Sequence, residues 1–423
     1  MLNTLSFPEI KFPEGFVWGS ATAAHQIEGD DINSENWYAE EQYKEKSGKA
    51  CNSYCLYKED IELLKEIGHR AYRFSIPWSR IEPAEGKFCK QALDHYQDLL
   101  CCLKEAGIKS FVTLLHGSMP QWLALKGGFL KRENIRYFER YVEYVVKVLH
   151  PYVDSWMVIN EFNIAGSDAN NEYALIRANN LIAHAKGYHI IKSFCNKPVS
   201  SAHALRCSQP ENPFDKFDCI FAELDDWKTN EFFFHAIRTG EIVLPYTEGE
   251  YVPELRDSLD YWAVNYYNRN IISARKKSSA SVWYTATHQK MIDKDFYLEE
   301  VFPEGLLNGL QRLKDKPVYI TENGICCDDD RWRILKLASD LAAISDAIKK
   351  GVDVRGYLHW TTMDNYEWSS FVPRFGLVHV DFKTFKRTPK NSAWFYKELI
   401  ELNGFDGTLV QKYIPELPVL KLY

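Results

Sequence analysis

Apolar residues along this chain follow two alternating periods. Short runs rich in β-branched and aromatic residues are separated by longer stretches in which apolar positions recur every three or four residues. The first kind reads as buried strands, the second as amphipathic helices. Eight strands are predicted: Phe16–Ala21, Ala71–Ile76, Ser110–Leu115, Trp156–Asn160, Val199–His203, Tyr261–Asn265, Val318–Thr321 and Val354–Trp360. Among the helices, Tyr57–Gly68 places Ile61, Leu64 and Ile67 on one stripe and ends on glycine. Lys90–Ala106 stops at Gly107, Ile135–Leu149 stops before Pro151, and Leu335–Lys350 stops at Gly351.

Strands alternating with helices predict a parallel sheet with crossover helices. Eight such units closed on themselves make an α/β fold, a single (β/α)8 TIM barrel over residues 1–423. Length alone would suggest two or three domains, but no low-complexity linker divides the chain, and single barrels reach this size with insertions. The long segments Cys207–Leu244 and Ile271–Phe302 are expected to decorate the mouth. Within the second, Lys276-Lys277-Ser-Ser-Ala-Ser reads as a mobile loop tip.

Two of the strands end on a carboxylate. Pro317-Val-Tyr-Ile-Thr-Glu-Asn-Gly324 delivers Glu322, and Ser155-Trp-Met-Val-Ile-Asn-Glu161 delivers Glu161. The C-terminal mouth of a barrel strand is where barrel chemistry sits. Either glutamate alone would serve as a surface acid or a helix-cap neighbour. Two in matching contexts can meet across one pocket, and paired carboxylates are the machinery of glycoside hydrolysis.

Composition narrows the field. Of the 423 residues, 46% are hydrophobic and 26% charged, which describes an ordinary globular chain with a large core. The net charge of −7, with Lys and Arg dispersed, leaves no footprint for nucleic acid. No run approaches a membrane span, and Met1–Phe7 lacks the basic start and apolar core of a secretory signal. A cytoplasmic location is therefore expected. Ten cysteines without a signal segment are expected to be reduced thiols, with no metal site. Aromatic residues at 14% suit sugar binding, because pyranose C–H faces stack on indole rings.

The motifs resemble glycoside hydrolase family 1, the retaining β-glucosidase family, from Phe12 to Tyr396. The carriers are Phe12–Gly29, Tyr72-Arg-Phe-Ser-Ile-Pro-Trp-Ser-Arg80, Ile320-Thr-Glu-Asn-Gly324, Gly356–Trp368 and Arg374-Phe-Gly-Leu377. The resemblance implies a retaining exo-β-glycosidase acting on β-glucosides, with β-galactosides or β-fucosides close behind. It assigns Glu322 as nucleophile and Glu161 as acid/base. Arg73 and Tyr267 would lie against Glu322, with Asn265 beside them, and Arg73 would lower its pKa. Glu161 would start protonated, helped by partial burial and its neighbour's charge. Gln26, His116, Asn160, Glu367 and Trp368 match glycone-holding positions, and Asn160 would reach the 2-hydroxyl. Trp360 matches the platform under the ring, and the peptide after it is cis in the family. An acid at 367 points to unphosphorylated sugars. No cofactor is implied. The expected partner is a small β-glycoside, and the formation of a homo-oligomer stays open.

Ser47-Gly-Lys-Ala-Cys-Asn52 and the length also resemble a compact archaeal branch that favours apolar aglycones. Two departures stand out. Phe162 replaces the family's proline after the acid/base, so it either turns the acid or fills part of the aglycone site. Gly117 replaces the tryptophan after the third-strand histidine, which removes a donor and widens the pocket. A non-catalytic sugar-binding barrel and a transglycosidase acting on alcohol acceptors are the alternative readings.

Overall fold

The computed structural model describes residues 7–164, 172–244, 248–275 and 300–418. Eight parallel strands close into a barrel: β1 (Val17–Ala21), β2 (Ala71–Ser75), β3 (Lys109–Leu115), β4 (Ser155–Asn160), β5 (Val199–Ala204), β6 (Trp262–Tyr266), β7 (Val318–Asn323) and β8 (Val354–Trp360). Each strand pairs with the next in sequence, and β8 returns to β1 through Gly356 opposite Val17. All eight expected strands form, with ends moved by one or two residues. β7 extends through Glu322 to Asn323, so the carboxylate is itself part of the strand.

Helices cross between the strands: α1 (Ser53–Glu66), α2 (Lys90–Glu105), α3 (Ile135–Leu149), α4 (Glu172–Phe194), α5 (Phe232–Thr239), α6 (Pro303–Leu310), α7 (Asp330–Lys349) and α8 (Asn391–Leu402). α3 shows the logic plainly. Tyr137, Phe138, Tyr141, Val142, Val145, Val146 and Leu149 recur at helical spacing and are all buried. α7 begins five residues before the expected Leu335, because the Asp329 side chain accepts a hydrogen bond from Arg331 N and caps the helix there.

Inside the barrel, Met157, Ala202, Tyr261 and Ala263 cluster with Tyr319. Tyr319 meets Tyr261 edge-on, with ring centroids 5.0 Å apart. This plug fills the barrel's interior, so the barrel is a packed core rather than a pore.

The segment after β5 adds a short strand, Cys207–Pro210, paired with Arg269–Ile272 beyond β6. A helix, Lys216–Asp226, runs through a π-helical turn at Trp227–Glu231 into α5. The Lys276–Ser281 tip lies outside the described residues. At the chain's two ends, Ile10–Lys11 pairs antiparallel with Gly404–Phe405. Asn403 tightens that closure. Its amide donates to the Phe12 carbonyl at 2.8 Å, and its Oδ1 accepts from Trp18 Nε1 at 2.9 Å. Among the described residues no helix is long and apolar enough to cross a membrane.

Candidate active site

Strand ends set the position of each polar group. The parallel register places Asn265 of β6 opposite Glu322 of β7, and it shifts by one residue between Val264 and Asn265. A second shift falls on β4, between Met157 and Asn160. Such irregularities re-aim side chains where a ladder meets a site. Beyond β7 the chain must pass Trp360 closely, since a Cβ on Gly324 would stand 1.9 Å from the Trp360 carbonyl oxygen. The glycine in the Glu-Asn-Gly turn is thus required by sterics.

Glu322 is 3% exposed and held from two sides. Arg73 Nη1 donates to its Oε1 at 2.5 Å, and Tyr267 Oη donates to its Oε2 at 2.7 Å. Arg73 is itself fixed. Its Nε donates to Thr113 Oγ1, Nη1 also to the Thr321 carbonyl, and Nη2 to Asn160 Oδ1 at 2.5 Å. Asn265 joins the second acid to this set. Its Nδ2 donates to Asn160 Oδ1 at 3.1 Å and to Glu161 Oε1 at 3.0 Å, while its Oδ1 accepts from Thr321 Oγ1. Only Asn265, Asn160 and Arg73 separate the two carboxylates along the hydrogen-bond path.

Glu161 is partly exposed. Its backbone continues the ladder, with N donating to the Ala202 carbonyl, and then turns at φ +49° into the Phe162–Ile164 turn. A left-handed glutamate costs of order 1 kcal/mol or more and persists only where surroundings hold it. Asn163 does that holding, accepting from Ala204 N and donating to the carbonyls of Ala204 and Thr229.

The far end of the site is a second polar pair. Gln26 Nε2 donates to Glu367 Oε2 and to Asn365 Oδ1, both at 3.0 Å. His116 sits between the two ends. Its Nε2 is 3.0 Å from Asn160 Nδ2, and its ring lies 5.8 Å from Trp360 and 6.2 Å from Trp368. The peptide between Trp360 and Thr361 is cis, as the resemblance implied. Every expected site residue except Arg73 lines one cavity of about 200 Å³, and Arg73 lies beneath it.

Arg73 lowers the Glu322 carboxyl as expected, but burial outweighs it. Burial pushes the Glu322 carboxyl up to about 7, and the Glu161 charge adds to that rise, although Arg73 and Tyr267 pull the other way. The guanidinium does not lower the carboxyl below its ordinary range, because desolvation is the larger effect. His116 is held well below its usual value by burial and by Arg73, so it is a neutral imidazole. Tyr267 stays a phenol, pushed well up by burial and by the glutamates around it.

The two departures resolve as follows. Phe162 turns into the core, meeting Phe233 of α5 edge-on at 4.7 Å, and one side of it walls a second cavity. Gly117 adopts φ +62°, and a Cβ there would lie 2.7 Å from Trp368 Cη2. Trp368 therefore leans into space that a side chain at 117 would claim. Arg206 and Asn268 also line the sugar-sized cavity and were missed. Each stands two residues beyond a strand's C-terminal end, a place that could have flagged them.

A model of the family described as glycosyl hydrolase family 1 matches residues 9–405. The chain is 31% identical over 446 residues to beta-glucosidase A of Thermotoga maritima, covering 94% of this chain and 99% of that protein. It is 30% identical to a 6-phospho-beta-galactosidase of Staphylococcus haemolyticus, covering 92% and 98%. The structure superposes on a beta-glycosidase from Pyrococcus horikoshii with a TM-score of 0.85 at 34% identity, covering 96% of this chain and 98% of that one.

Proposed function

The chain belongs to glycosyl hydrolase family 1, and from that premise we propose that it removes terminal, unphosphorylated β-D-glucosyl residues with retention of configuration. The observation that carries this reading is the continuous hydrogen-bonded set running from Glu161 through Asn265, Asn160 and Arg73 to Glu322 on one cavity wall. Retaining glycosidases hold their two carboxyls about 5–5.5 Å apart, and here both line the same cavity of about 200 Å³.

In the first step Glu322 attacks the anomeric carbon while Glu161 protonates the departing oxygen. A glycosyl ester on Glu322 results. Glu161, now a carboxylate, takes a proton from water, and that water displaces the sugar from Glu322. Asn160, which precedes the acid/base and lines the same cavity, suits the hydroxyl beside the reacting carbon. The Gln26–Glu367 pair suits hydroxyls at the other end of the ring, since a sugar hydroxyl both donates and accepts. The Glu367 carboxylate would repel a 6-phosphate, which argues against the phosphosugar activity named for some relatives.

The test combines stereochemistry with substitution. Proton NMR of an aryl β-glucoside digest should show the β-anomer of glucose first. Glu322→Ala should lose at least about 10³-fold in kcat, in line with removal of an essential group. Glu161→Ala should retain slow turnover of activated aryl glucosides that added azide accelerates. A first-formed α-anomer, or an Glu322→Ala protein with wild-type activity, would sink the assignment. A 6-phospho-β-galactoside should not be turned over at a comparable rate.

A further inference from the structure

A buried cation stands in the cavity wall beside the acid/base. Arg206 lies two residues beyond β5, the strand that pairs with β4 and its Glu161, and it is 9% exposed. Among the described residues lining the cavity, Glu161, Glu322 and Glu367 are acids, and Arg206 alone bears a permanent positive charge. Burial works against that charge and holds Arg206 below its ordinary value. Of its neighbours Glu161 does most to sustain it, then Asp225 of the Lys216–Asp226 helix, while Arg177 of α4 opposes and Tyr267 adds least.

One side chain fixes the backbone of Arg206. Asn230 Oδ1 accepts from Arg206 N at 3.1 Å, and its Nδ2 donates to the Arg206 carbonyl at 2.7 Å. Asn230 is fully buried and is itself held. Its Nδ2 also donates to Asp226 Oδ1 at 2.7 Å, and His203 Nε2 lies 3.0 Å from its Oδ1. It belongs to the π-helical turn Trp227–Glu231, an irregularity that recurs at functional sites. The residue before it, Thr229, accepts through its carbonyl from Asn163 Nδ2, the side chain that holds the turn at Glu161. One widened helical turn therefore ties the acid/base segment and the arginine to a common support.

We propose that Arg206 is a positioning residue for proton transfer: acting through Glu161, it holds that side chain as a carboxylate once Glu322 carries the sugar, so that water is activated in the second step. The inference rests on the retaining-glycosidase reading above. In the free enzyme Glu322 of β7 opposes ionisation of Glu161, and Arg206 favours it. Arg73 of β2 reaches Glu161 along hydrogen bonds through Asn160 and Asn265. The Tyr267 phenol beyond β6 and the His116 imidazole after β3 are neutral. Glu367 after β8 and Glu35 before β2 each share a cavity with Glu161, and neither takes part in the ester. Ester formation removes the Glu322 charge and leaves Arg206 in place. Glu161 then takes a proton from water, the water oxygen bonds to the anomeric carbon, and the electron pair of the breaking ester bond returns to Glu322.

The experiment uses two substrates. Phenyl β-D-glucoside needs an acid to expel its leaving group, so its kcat/KM reads the proton on Glu161. The 2,4-dinitrophenyl glucoside needs none, so its kcat reads the water step. The proteins are the wild type, Arg206→Lys, and two neutral variants of different shape, Arg206→Met and Arg206→Gln. In the neutral variants the basic limb of kcat/KM on the phenyl glucoside should rise by about one pH unit, the low end of what a nearby opposite charge confers. Their kcat on the dinitrophenyl glucoside should fall about tenfold below that limb, with kcat/KM for it within about threefold of wild type. Azide, which attacks without a base, should restore that kcat. Arg206→Lys keeps the charge and should move the limb by less than half as much. A limb that stays in place, or a loss of kcat that azide does not repair, overturns the inference and leaves the glucosidase reading intact. An Arg206→Lys protein that behaves like the neutral variants overturns it too, by giving the arginine a packing role. Should both neutral variants fail to fold, Asn230→Ala keeps the guanidinium but frees its backbone and should raise the limb, and an unmoved limb again overturns the inference. If the wild type turns over no glucoside, both readings fall together.

Discussion

Glu322 has to be ionised to attack, yet burial raises its carboxyl to about 7. Arg73 and Tyr267 hold it near neutrality rather than higher. The acid limb of kcat/KM should therefore fall near pH 7, with activity dropping about tenfold per pH unit below it. Tyr267→Phe removes a donor that favours the carboxylate, so the limb should move upward by about one pH unit, readable in a pH–rate profile. A limb that stays in place would show that the phenol does not tune the nucleophile. At this scale the sequence was informative where chemistry follows a strand. Glu161 and Glu322 each close an apolar run, so their pairing could be anticipated. The sign of the Glu322 shift could not, because it depends on how completely three dimensions exclude water. Nor could the left-handed turn at Glu161, which rests on Asn163 reaching Ala204 and Thr229.

β7 carries the nucleophile, and α7 holds β7 from behind. Lys336 Nζ lies 2.9 Å from Asp340 Oδ2 and donates to the Tyr267 carbonyl at 2.7 Å. Asp340 Oδ2 accepts from Asn323 Nδ2, the residue after Glu322. One buried ion pair thus spans the nucleophile strand and the segment bearing its phenol donor. Lys336→Ala leaves Asp340 buried without its cation and should cost about 3–5 kcal/mol in denaturant unfolding. The double variant Lys336→Ala/Asp340→Ala should cost clearly less than the sum of the singles, and strict additivity would show the pair is uncoupled. Elements were read from the chain with little error, because buried parallel strands are near-continuous apolar runs and their helices end on glycine or before proline. The start of α7 escaped, since Asp329-Asp330 looked like loop and acts as a cap. The widening at Gly117 was legible, but not the extent of the second cavity. It arises from an absent side chain at 117 and from packing among three distant segments.

For the molecule as a whole, pH dependence follows from groups buried neutral. Among the described residues six histidines, His69, His95, His116, His184, His203 and His359, are held below their usual value by burial, while Asp31 and Glu40 hold His25 above it. Among the described residues three carboxyls, Glu28, Glu35 and Glu322, are pushed up to about 7, again mainly by burial, and burial raises Asp60 as well. Between about pH 6.5 and 4.5 the unfolded chain binds protons on these six histidines, while the folded chain binds them on the raised carboxyls. The histidines outnumber the carboxyls, so the unfolded state binds more protons and stability rises with pH across this window. Thermal midpoints should fall as the buffer is taken from pH 6.5 to 5, and a midpoint that climbs instead would contradict the burial assignments. The seam between β8 and β1 has a consequence for biosynthesis. Val17 finds Gly356 only after the ribosome has made the more than 330 residues between them, so the ring stays open at both edges until then. Arginine 73 emerges early and waits, desolvated by nothing, for a glutamate some 250 residues behind it. Nascent chains stalled before the eighth strand should therefore be inert and prone to sticking edge to edge.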